Sequence, residues 1–294
     1  RCLGGAIKIN GDNSVFINND ISYNNANSGG GVNIEGENAL FMYNNLTFNK
    51  VTEFNSVGGA ASIEGANANF THNNISSNTA EDNGGGVFVA SENAYFEDIY
   101  GFNNTAENGG FGKVFVGFDM IVKNSTFISN HATGDIGRDR GEGGVFHIDY
   151  AFGASIEANF YNNTATNGSA IYVQESYDVN IHDSRFFDNQ AHSYYLLAAP
   201  ENGTVYEVGD DKIVKFSHIG GDNIANAIHN RDGDSDITIR NITLPFYHDG
   251  VLENRTTPDE DLIPVLGYSS FNGTNIYIDE LENNQVVYYE VYDN

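Results

Sequence analysis

Several residue types on which other protein architectures depend are scarce in this chain. Among its 294 residues there are one cysteine (Cys2), four prolines, two methionines and no tryptophan. A single cysteine excludes a framework of disulfides within the chain. No stretch approaches 18 consecutive apolar residues, so the sequence contains no candidate transmembrane helix. Helix-forming residues are also few, and the composition therefore predicts an all-β protein.

Basic residues are scarce as well. The 13 Lys and Arg face 40 Asp and Glu, which gives a net charge of −27. Such a chain lacks the basic footprint that phosphate groups require, which argues against nucleic acid and against insertion at an anionic membrane surface. The charge favours cations or cationic partners, although solubility is the simpler interpretation. With 20 Phe and 17 Tyr, the chain also lacks the aromatic-poor composition of disordered proteins.

Glycine and asparagine, in contrast, are abundant and form a repeat. Paired glycines precede Ala or Val and a short β-type run, and the small residue recurs at positions 6, 32, 60, 87, 114, 145 and 170. The copies are about 27 residues apart, a period typical of solenoids. The clearest pairs are Gly4 and Gly5, Gly30 and Gly31, Gly58 and Gly59, Gly85 and Gly86, and Gly143 and Gly144.

Each copy carries three short apolar runs with the alternation of half-buried strands. The first run follows the glycines, the second comes about eight residues later, and the third has the pattern apolar-x-x-Asn. Three strands in about 27 residues predict a three-sided parallel β-helix, because a propeller blade needs about 40 residues. The repeated asparagines are Asn24, Asn49, Asn78, Asn103, Asn130, Asn163 and Asn189.

Both recurrent residues have a structural explanation at the corners of a coil. Asparagines stacked in successive coils can form an amide ladder, in which each side chain donates to one neighbour and accepts from the other. Glycine supplies a positive φ where a Cβ would clash. We therefore predict that these residues close the coils and bind no ligand.

The repeat loosens after Asn189, but its spacing continues. A run at 227–228 lies two periods after Ala170, with residues 196–216 as the coil between. We predict about nine coils over residues 1–255, followed over residues 256–294 by a linker and a β-hairpin. The hairpin either caps the rod or begins another domain. Because the first glycines already lie inside a repeat, we expect the natural chain to start earlier.

The alternation of Gly-Gly-Ala-Ile at 4–7 with Phe-x-x-Asn at 127–130, 160–163 and 186–189 resembles the repeats of the polymorphic outer-membrane protein family. The chain is still more similar to the adhesin-like surface proteins of methanogenic archaea. The resemblance implies a right-handed parallel β-helix that is secreted, displayed at the cell surface and used for attachment. It implies a glycan or protein of a host or neighbouring cell as the partner, and an Ig-like domain of which 256–294 would be the start.

The longest gap between a corner asparagine and the next repeat spans residues 131–144. Insertions in a solenoid gather on one face, which is often the binding face. This gap contains two arginines within three residues in a chain that has few. An internally paired, solvated loop is an equal alternative. The predicted binding residues on this projecting loop are Asp135, Arg138, Asp139, Arg140 and Glu142.

The alternative function is a carbohydrate-active enzyme, because pectin lyase-like β-helices include polysaccharide lyases and glycoside hydrolases. Hydrolases need paired carboxylates, and lyases need a base beside a carboxylate-bound Ca²⁺. His182, Asp183 and Arg185, together with His147 and Asp149, form the best candidate constellation. The histidines share no spacing, and no nucleophile, phosphate-loop or zinc motif is present. We therefore predict no catalytic residues and no metal ligands.

One acidic segment has the alternating oxygens of a calcium loop. Asp232, Asp234 and Asp236 have the spacing, but Ile237 and Thr243 stand where an EF-hand requires Gly and Glu. An acidic turn before a strand is the simpler interpretation. Ca²⁺ at this segment is therefore the one cofactor for which the sequence offers candidate ligands.

Overall fold

The computed structural model describes residues 2–53, 55–134, 141–187 and 189–191, and beyond residue 191 only a set of strands. The chain is an all-β, right-handed parallel β-solenoid of about 7 turns, with about 26 residues per turn. The predicted fold class is therefore confirmed. Among the described residues there is no helix with the length and apolar character that crossing a membrane requires.

Strands of successive coils pair in parallel and build four ladders, numbered here in the order in which the chain passes through them. Ladder 1 comprises Ile7–Ile9, Val32–Ile34, Ala61–Ile63, Val87–Val89, Gly112–Phe115, Phe146–Asp149 and Ile171–Gln174. Ladder 2 comprises Val15–Ile17, Leu40–Met42, Asn69–Thr71, Tyr95–Glu97 and Val179–His182. Ladder 3 comprises Asp20–Ser22, Asn45–Thr47, Asn74–Ser76, Tyr100–Phe102 and Arg185–Phe187. The two longer strands that run through ladders 2 and 3 are Ile121–Ile128 and Ser155–Tyr161. Ladder 4 comprises Asn25–Ala26, Lys50–Val51, Thr79–Ala80, Thr105–Ala106, His131–Ala132, Thr164–Ala165 and Gln190–Ala191.

The first three ladders are the three predicted strands per coil, and ladder 4 adds a two-residue strand after each corner asparagine. The coils are numbered by the glycine with which each begins. Coils 1 to 7 begin at Gly4, Gly29, Gly58, Gly84, Gly109, Gly143 and Gly168.

The core is a column of side chains that repeat at the distance between strands. Phe41 stacks on Phe16 and on Phe70, each with ring centroids 4.8 Å apart, and Phe70 stacks on Phe96 at 5.4 Å. These distances lie close to the strand spacing of about 4.8 Å. Each inward ring therefore contacts its equivalents in the coils on either side, and the rod buries one continuous apolar core.

The two glycines at the start of a coil are needed for different reasons. Gly58 has a φ of 68°, in the left-handed region that favours glycine. Gly59 lies so close to the next coil that a Cβ would collide with the backbone oxygen of Gly85. The first glycine thus permits the turn, and the second permits the approach of the coils.

Two predicted pairs lie one residue too late. The residues with positive φ are Gly29 and Gly84, so the corner pairs are 29–30 and 84–85, rather than Gly30 with Gly31 and Gly85 with Gly86. Three consecutive glycines at each place leave the register open in the sequence. The copy expected at residues 112–115 begins instead at Gly109.

The asparagine ladder between ladders 3 and 4 is present in the structure. Its members are Asn24, Asn49, Asn78, Asn104, Asn130, Asn163 and Asn189. The prediction of Asn103 was wrong, because this residue is exposed and has a φ of 53°. In that coil Gly101 occupies the buried position that an apolar residue occupies in the other coils. The sequence pattern apolar-x-x-Asn was therefore aligned on Tyr100 and Asn103, one residue before the true positions 101 and 104.

Every hydrogen-bonding site of the Asn104 side chain is used. Its Oδ1 accepts from the backbone N–H and the Nδ2 of Asn78, each at 3.0 Å. Its Nδ2 donates to the Ile75 carbonyl at 2.8 Å and to Asn130 Oδ1 at 3.0 Å. A primary amide has two donors and two acceptor positions. The buried amide is therefore fully satisfied.

A second asparagine ladder escaped the sequence analysis. Asn19 donates to Asn44, and Asn44 donates to Asn73, at 2.9 and 3.1 Å. These residues precede the main ladder by five positions, and this constant offset was visible in the sequence. In the later coils serine stands at this position only in coils 5 and 7, where Ser125 and Ser184 accept hydrogen bonds from the backbone N–H groups of Ile99 and Ala158.

Beyond residue 191, three strands extend the solenoid. Ile228–Asn230, Ile237–Arg240 and Thr243–His248 pair in parallel with the coil 7 strands of ladders 1, 2 and 3. Because Ile228 pairs directly with Ile171, the expected coil over residues 196–216 does not lie between them. Two strands of that segment, Thr204–Val208 and Asp211–Lys215, form an antiparallel hairpin.

The last strands are antiparallel. Val251–Thr256 pairs with Thr243–His248, and Ile263–Pro264 pairs with Ile237–Arg240. Thr274–Glu282 and Gln285–Asp293 form the predicted hairpin around residues 283–284. The total of nine coils over residues 1–255, and the role of the hairpin as a cap or as the start of a further domain, stay predictions.

Candidate functional site

Most of the predicted binding loop lies outside the described residues, namely Asp135, Arg138, Asp139 and Arg140. Glu142 is described, and its placement on a projecting loop was wrong. It forms a parallel bridge with Asn167 in the wall of the solenoid, and its side chain is buried. Glu142 Oε2 lies 3.5 Å from His147 Nδ1.

The five residues of the candidate enzyme constellation do not form one patch. His147 and Asp149 belong to ladder 1, whereas His182 ends a ladder 2 strand and Arg185 begins a ladder 3 strand. His182 is engaged locally, with Nδ1 2.8 Å from Asp183 Oδ2. The constellation therefore divides between different faces of the solenoid.

A different group of ionisable residues meets on ladder 1 in coils 5 to 7. Lys113, His147 and Tyr172 are paired in register, on the side of the strands opposite to the core. Lys113 Nζ lies 2.9 Å from Asp149 Oδ2, and the rings of His147 and Tyr172 meet edge-on at 4.9 Å. With Glu142, these residues form what we call the ladder 1 cluster.

The ladder 1 cluster is largely closed to solvent. The side chains of Lys113 and Asp149 are 7% and 13% exposed. Burial lowers the pKa of Lys113, while the charges of Asp149 and Glu142 act in the opposite direction. Asp149 Oδ1 is buried and accepts no hydrogen bond from any residue of the described part.

An exposed aromatic strip lies beside the cluster, at the corner between ladders 1 and 2. Phe118, Phe152 and Tyr177 are aligned by parallel bridges in coils 5, 6 and 7. They are 42%, 53% and 46% exposed, with ring centroids 6.5 and 5.3 Å apart. Phe115 and Tyr150, also exposed, lie next to the strip and meet edge-on at 6.1 Å.

The coil itself does not require aromatic residues at this corner. The backbone hydrogen bonds place other residues at the same position in coils 1 to 4, namely Asp12, Glu37, Ala66 and Glu92. The residue that follows has a positive φ throughout, from Asn13 to Asp178. The fold therefore constrains that following residue and leaves the strip position free. Three aligned exposed aromatics on an acidic chain indicate a contact surface.

The strip was not found from the sequence, although a sign of it was present. The turn between the first two apolar runs contains Asp, Glu or Ala in the first four copies and Phe or Tyr in the next three. Without the alignment of coils, the sequence does not show that these aromatics share one position.

Metal ligation has no support in the described part of the chain. No group of three or more His, Cys, Asp or Glu that could hold a metal ion occurs there. Asp232, Asp234 and Asp236 lie outside the described residues. Calcium binding by that segment stays a prediction.

Comparison with protein-family models gives no match, and neither do comparisons with curated proteins and with solved structures. The resemblance to outer-membrane repeats and archaeal adhesins therefore stays an expectation. The candidate site of this β-solenoid is the aromatic strip of coils 5 to 7, adjacent to the buried ladder 1 cluster.

Proposed function

We propose that the protein is a non-catalytic, adhesin-like rod of the extracellular cell surface, which attaches to a neutral glycan through the aromatic strip. The observation that carries the proposal is the alignment of Phe118, Phe152 and Tyr177 at a corner where the coil does not need them. The C–H faces of sugar rings pack on aromatic side chains through dispersion and removal of apolar surface from water. Aromatic residues, Phe and Tyr among them, are also enriched at binding interfaces relative to the rest of the protein surface.

The negative charge of the chain favours neutral over acidic glycans as the ligand. A net charge of −27 repels uronic, sialylated and sulfated chains. A neutral glycan avoids this repulsion and can use the strip without a basic partner. The resemblance noted in the sequence supports surface display, and the rod shape supports the presentation of a lateral binding face.

The strip is tested with a Phe152→Ser, Tyr177→Ser variant of the full chain. Ligands are first identified on a glycan array, and affinity is then measured by calorimetry. We expect a loss of at least about tenfold, which corresponds to about 1.4 kcal/mol. The melting temperature should change little, because about half of each residue is exposed to solvent and neither belongs to the buried core.

The matched control is Tyr23→Ser, Phe48→Ser. These two rings are also exposed and stacked, 4.9 Å apart, but lie at another corner in coils 1 and 2. Their replacement should leave the affinity unchanged. Equal losses in both variants, or an array on which the wild-type chain binds no neutral glycan, would contradict the proposal.

A polysaccharide lyase or glycoside hydrolase is the second candidate function. It is favoured by the proximity of Lys113, His147, Asp149 and Glu142, which include a base and two carboxylates. Their burial opposes it, since a polymer needs access to the reacting groups. Incubation with pectic and neutral polysaccharides should release neither unsaturated products nor reducing ends. Release that disappears in Lys113→Met would establish the enzyme instead.

A further inference from the structure

We propose that Lys113 and Asp149 form an amide bond between their side chains, a covalent clamp that joins coil 5 to coil 6. This modification is independent of the glycan proposal, since neither residue belongs to the aromatic strip. It would make the ladder 1 cluster a self-processing site with no external ligand.

The first support is geometric. Lys113 Nζ lies 2.9 Å from Asp149 Oδ2, so the carboxyl carbon is one bond further away. The two residues lie on the paired strands Gly112–Phe115 and Phe146–Asp149, in which Phe115 is opposite Asp149. Both backbones are therefore fixed by the ladder. Groups held in this way react with effective concentrations of about 10⁵–10⁸ M, which offsets the preference of amides for hydrolysis in water.

The second support is the poor solvation of the ion pair. An ammonium group has three donors, and Asp149 Oδ2 is the one acceptor that Lys113 Nζ reaches among the described residues. The other oxygen, Asp149 Oδ1, is buried and has no hydrogen-bond donor within the described ranges. A buried ion pair with unused hydrogen-bonding sites does not recover its cost of desolvation. An amide removes both charges at once.

The reaction is a dehydration that needs no oxidant, reductant or cofactor. A proton first passes from the ammonium to the carboxylate, which yields a neutral amine and a neutral acid. Burial favours this exchange, because it lowers the pKa of Lys113. The nitrogen lone pair then attacks the carboxyl carbon, the C–N bond forms, and one C–O bond breaks. The leaving hydroxyl takes a proton from the nitrogen and departs as water.

Glu142 is the residue placed to carry that proton. Its charge acts on Lys113, and its carboxylate lies 3.5 Å from His147, the cross-strand neighbour of Lys113. A buried carboxylate whose charge acts on the reacting nitrogen can accept the proton in the tetrahedral intermediate and deliver it to the leaving oxygen. Glu142→Gln is therefore expected to leave the ion pair uncondensed.

The test is the intact mass of the purified 294-residue chain under denaturing conditions. The wild-type chain should be lighter than its sequence by one water. Lys113→Met and Asp149→Ala should have the mass of their sequences. Asp149→Asn should still condense, with loss of ammonia instead of water, since the amide oxygen is retained and nitrogen leaves.

Tryptic digestion locates the bond and does not depend on how the variants fold. In the wild-type chain, cleavage after Lys113 should be absent, and a branched peptide should contain both Lys113 and Asp149. A wild-type mass equal to that of the sequence, with full cleavage after Lys113, would reduce the pair to a buried salt bridge. Loss of water that persists in Lys113→Met would also overturn the proposal, because succinimide formation elsewhere would explain it.

Discussion

Replacement of Asn104 by Ala is expected to lower the free energy of unfolding by about 2–6 kcal/mol, because two buried N–H groups of Asn78 lose their acceptor and each costs about 1–3 kcal/mol when unpaired. The side chain accepts from the N–H and Nδ2 of Asn78 and donates to the Ile75 carbonyl. Alanine leaves the backbone N–H of Asn78 and one of its two Nδ2 hydrogens without an acceptor, while the other Nδ2 hydrogen keeps its bond to the Leu46 carbonyl. Asn130 Oδ1 keeps one donor, the backbone N–H of residue 104. Urea denaturation followed by circular dichroism measures the difference.

The neighbouring residue provides the control. Asn103 is exposed, and its Nδ2 reaches Ser77 Oγ at only 3.4 Å. Glycine is the suitable replacement, because it adopts the φ of 53° found there without strain. Asn103→Gly should change stability by less than about 0.5 kcal/mol. Equal effects at 103 and 104 would contradict the register of the ladder, and a small effect at both would show that the amides are not essential.

The period of the fold could be predicted from the sequence because it depends on residues with one structural role. Glycines with positive φ, stacked asparagines and alternating apolar runs recur whatever the coil presents to solvent. The predicted position of the repeat was wrong by one residue where one residue type occupies several adjacent positions, as in the glycines at 29–31. It was also wrong by one residue where Gly101 replaces the apolar residue on which the pattern depends.

The candidate site could not be predicted for a different reason. Lys113 and Asp149 are 36 residues apart, and their contact depends on the length of the insertion between coils 5 and 6. The aromatic strip depends on which side of a corner each ring occupies, and composition does not report this. The predicted candidates His147 and Asp149 do lie in a cluster of ionisable groups, but with Lys113 and Glu142 instead of His182 and Arg185.

The coils share a pairing of a large with a small residue across the core, and one pair is reversed. In ladder 3 of coil 2 the large residue is Leu46, and its small partner is Ala60, which follows the corner glycines of coil 3. In coil 4 the ladder 3 residue is the small Gly101, and its partner after the corner glycines of coil 5 is the large Phe111. A Cβ added at Gly101 would lie 2.7 Å from Phe111 Cδ2 and 2.6 Å from Phe127 Cδ1. The Phe111 ring therefore fills the space that an aliphatic side chain occupies in other coils.

Two substitutions, Gly101→Leu and Phe111→Ala, restore the large ladder 3 residue and its small partner. Their effects on the free energy of unfolding should be strongly non-additive. Gly101→Leu alone is expected to cost about 1–3 kcal/mol through overpacking. Phe111→Ala alone should cost about 3–5 kcal/mol, because it leaves a cavity beside a residue without a side chain. The double variant recreates the Leu and Ala pair of coils 2 and 3, so it should be more stable than Phe111→Ala. Urea denaturation of all four chains gives the coupling energy.

The coupling energy shows whether the side chains at 101 and 111 compete for the same space or whether each substitution only loosens the core. Residues that share one space couple by about 0.5–3 kcal/mol, whereas independent sites add. A matched cycle with Gly101→Leu and Phe41→Ala serves as the control, since Phe41 stacks on Phe16 and Phe70 in coils 1 and 3. That cycle should be additive within about 0.5 kcal/mol. Additivity in the Phe111 cycle as well would mean that the two side chains do not compete for one space. Coupling in the Phe111 cycle alone would establish that the reversed pair is held by volume, which is why a pattern of residue types does not reveal it.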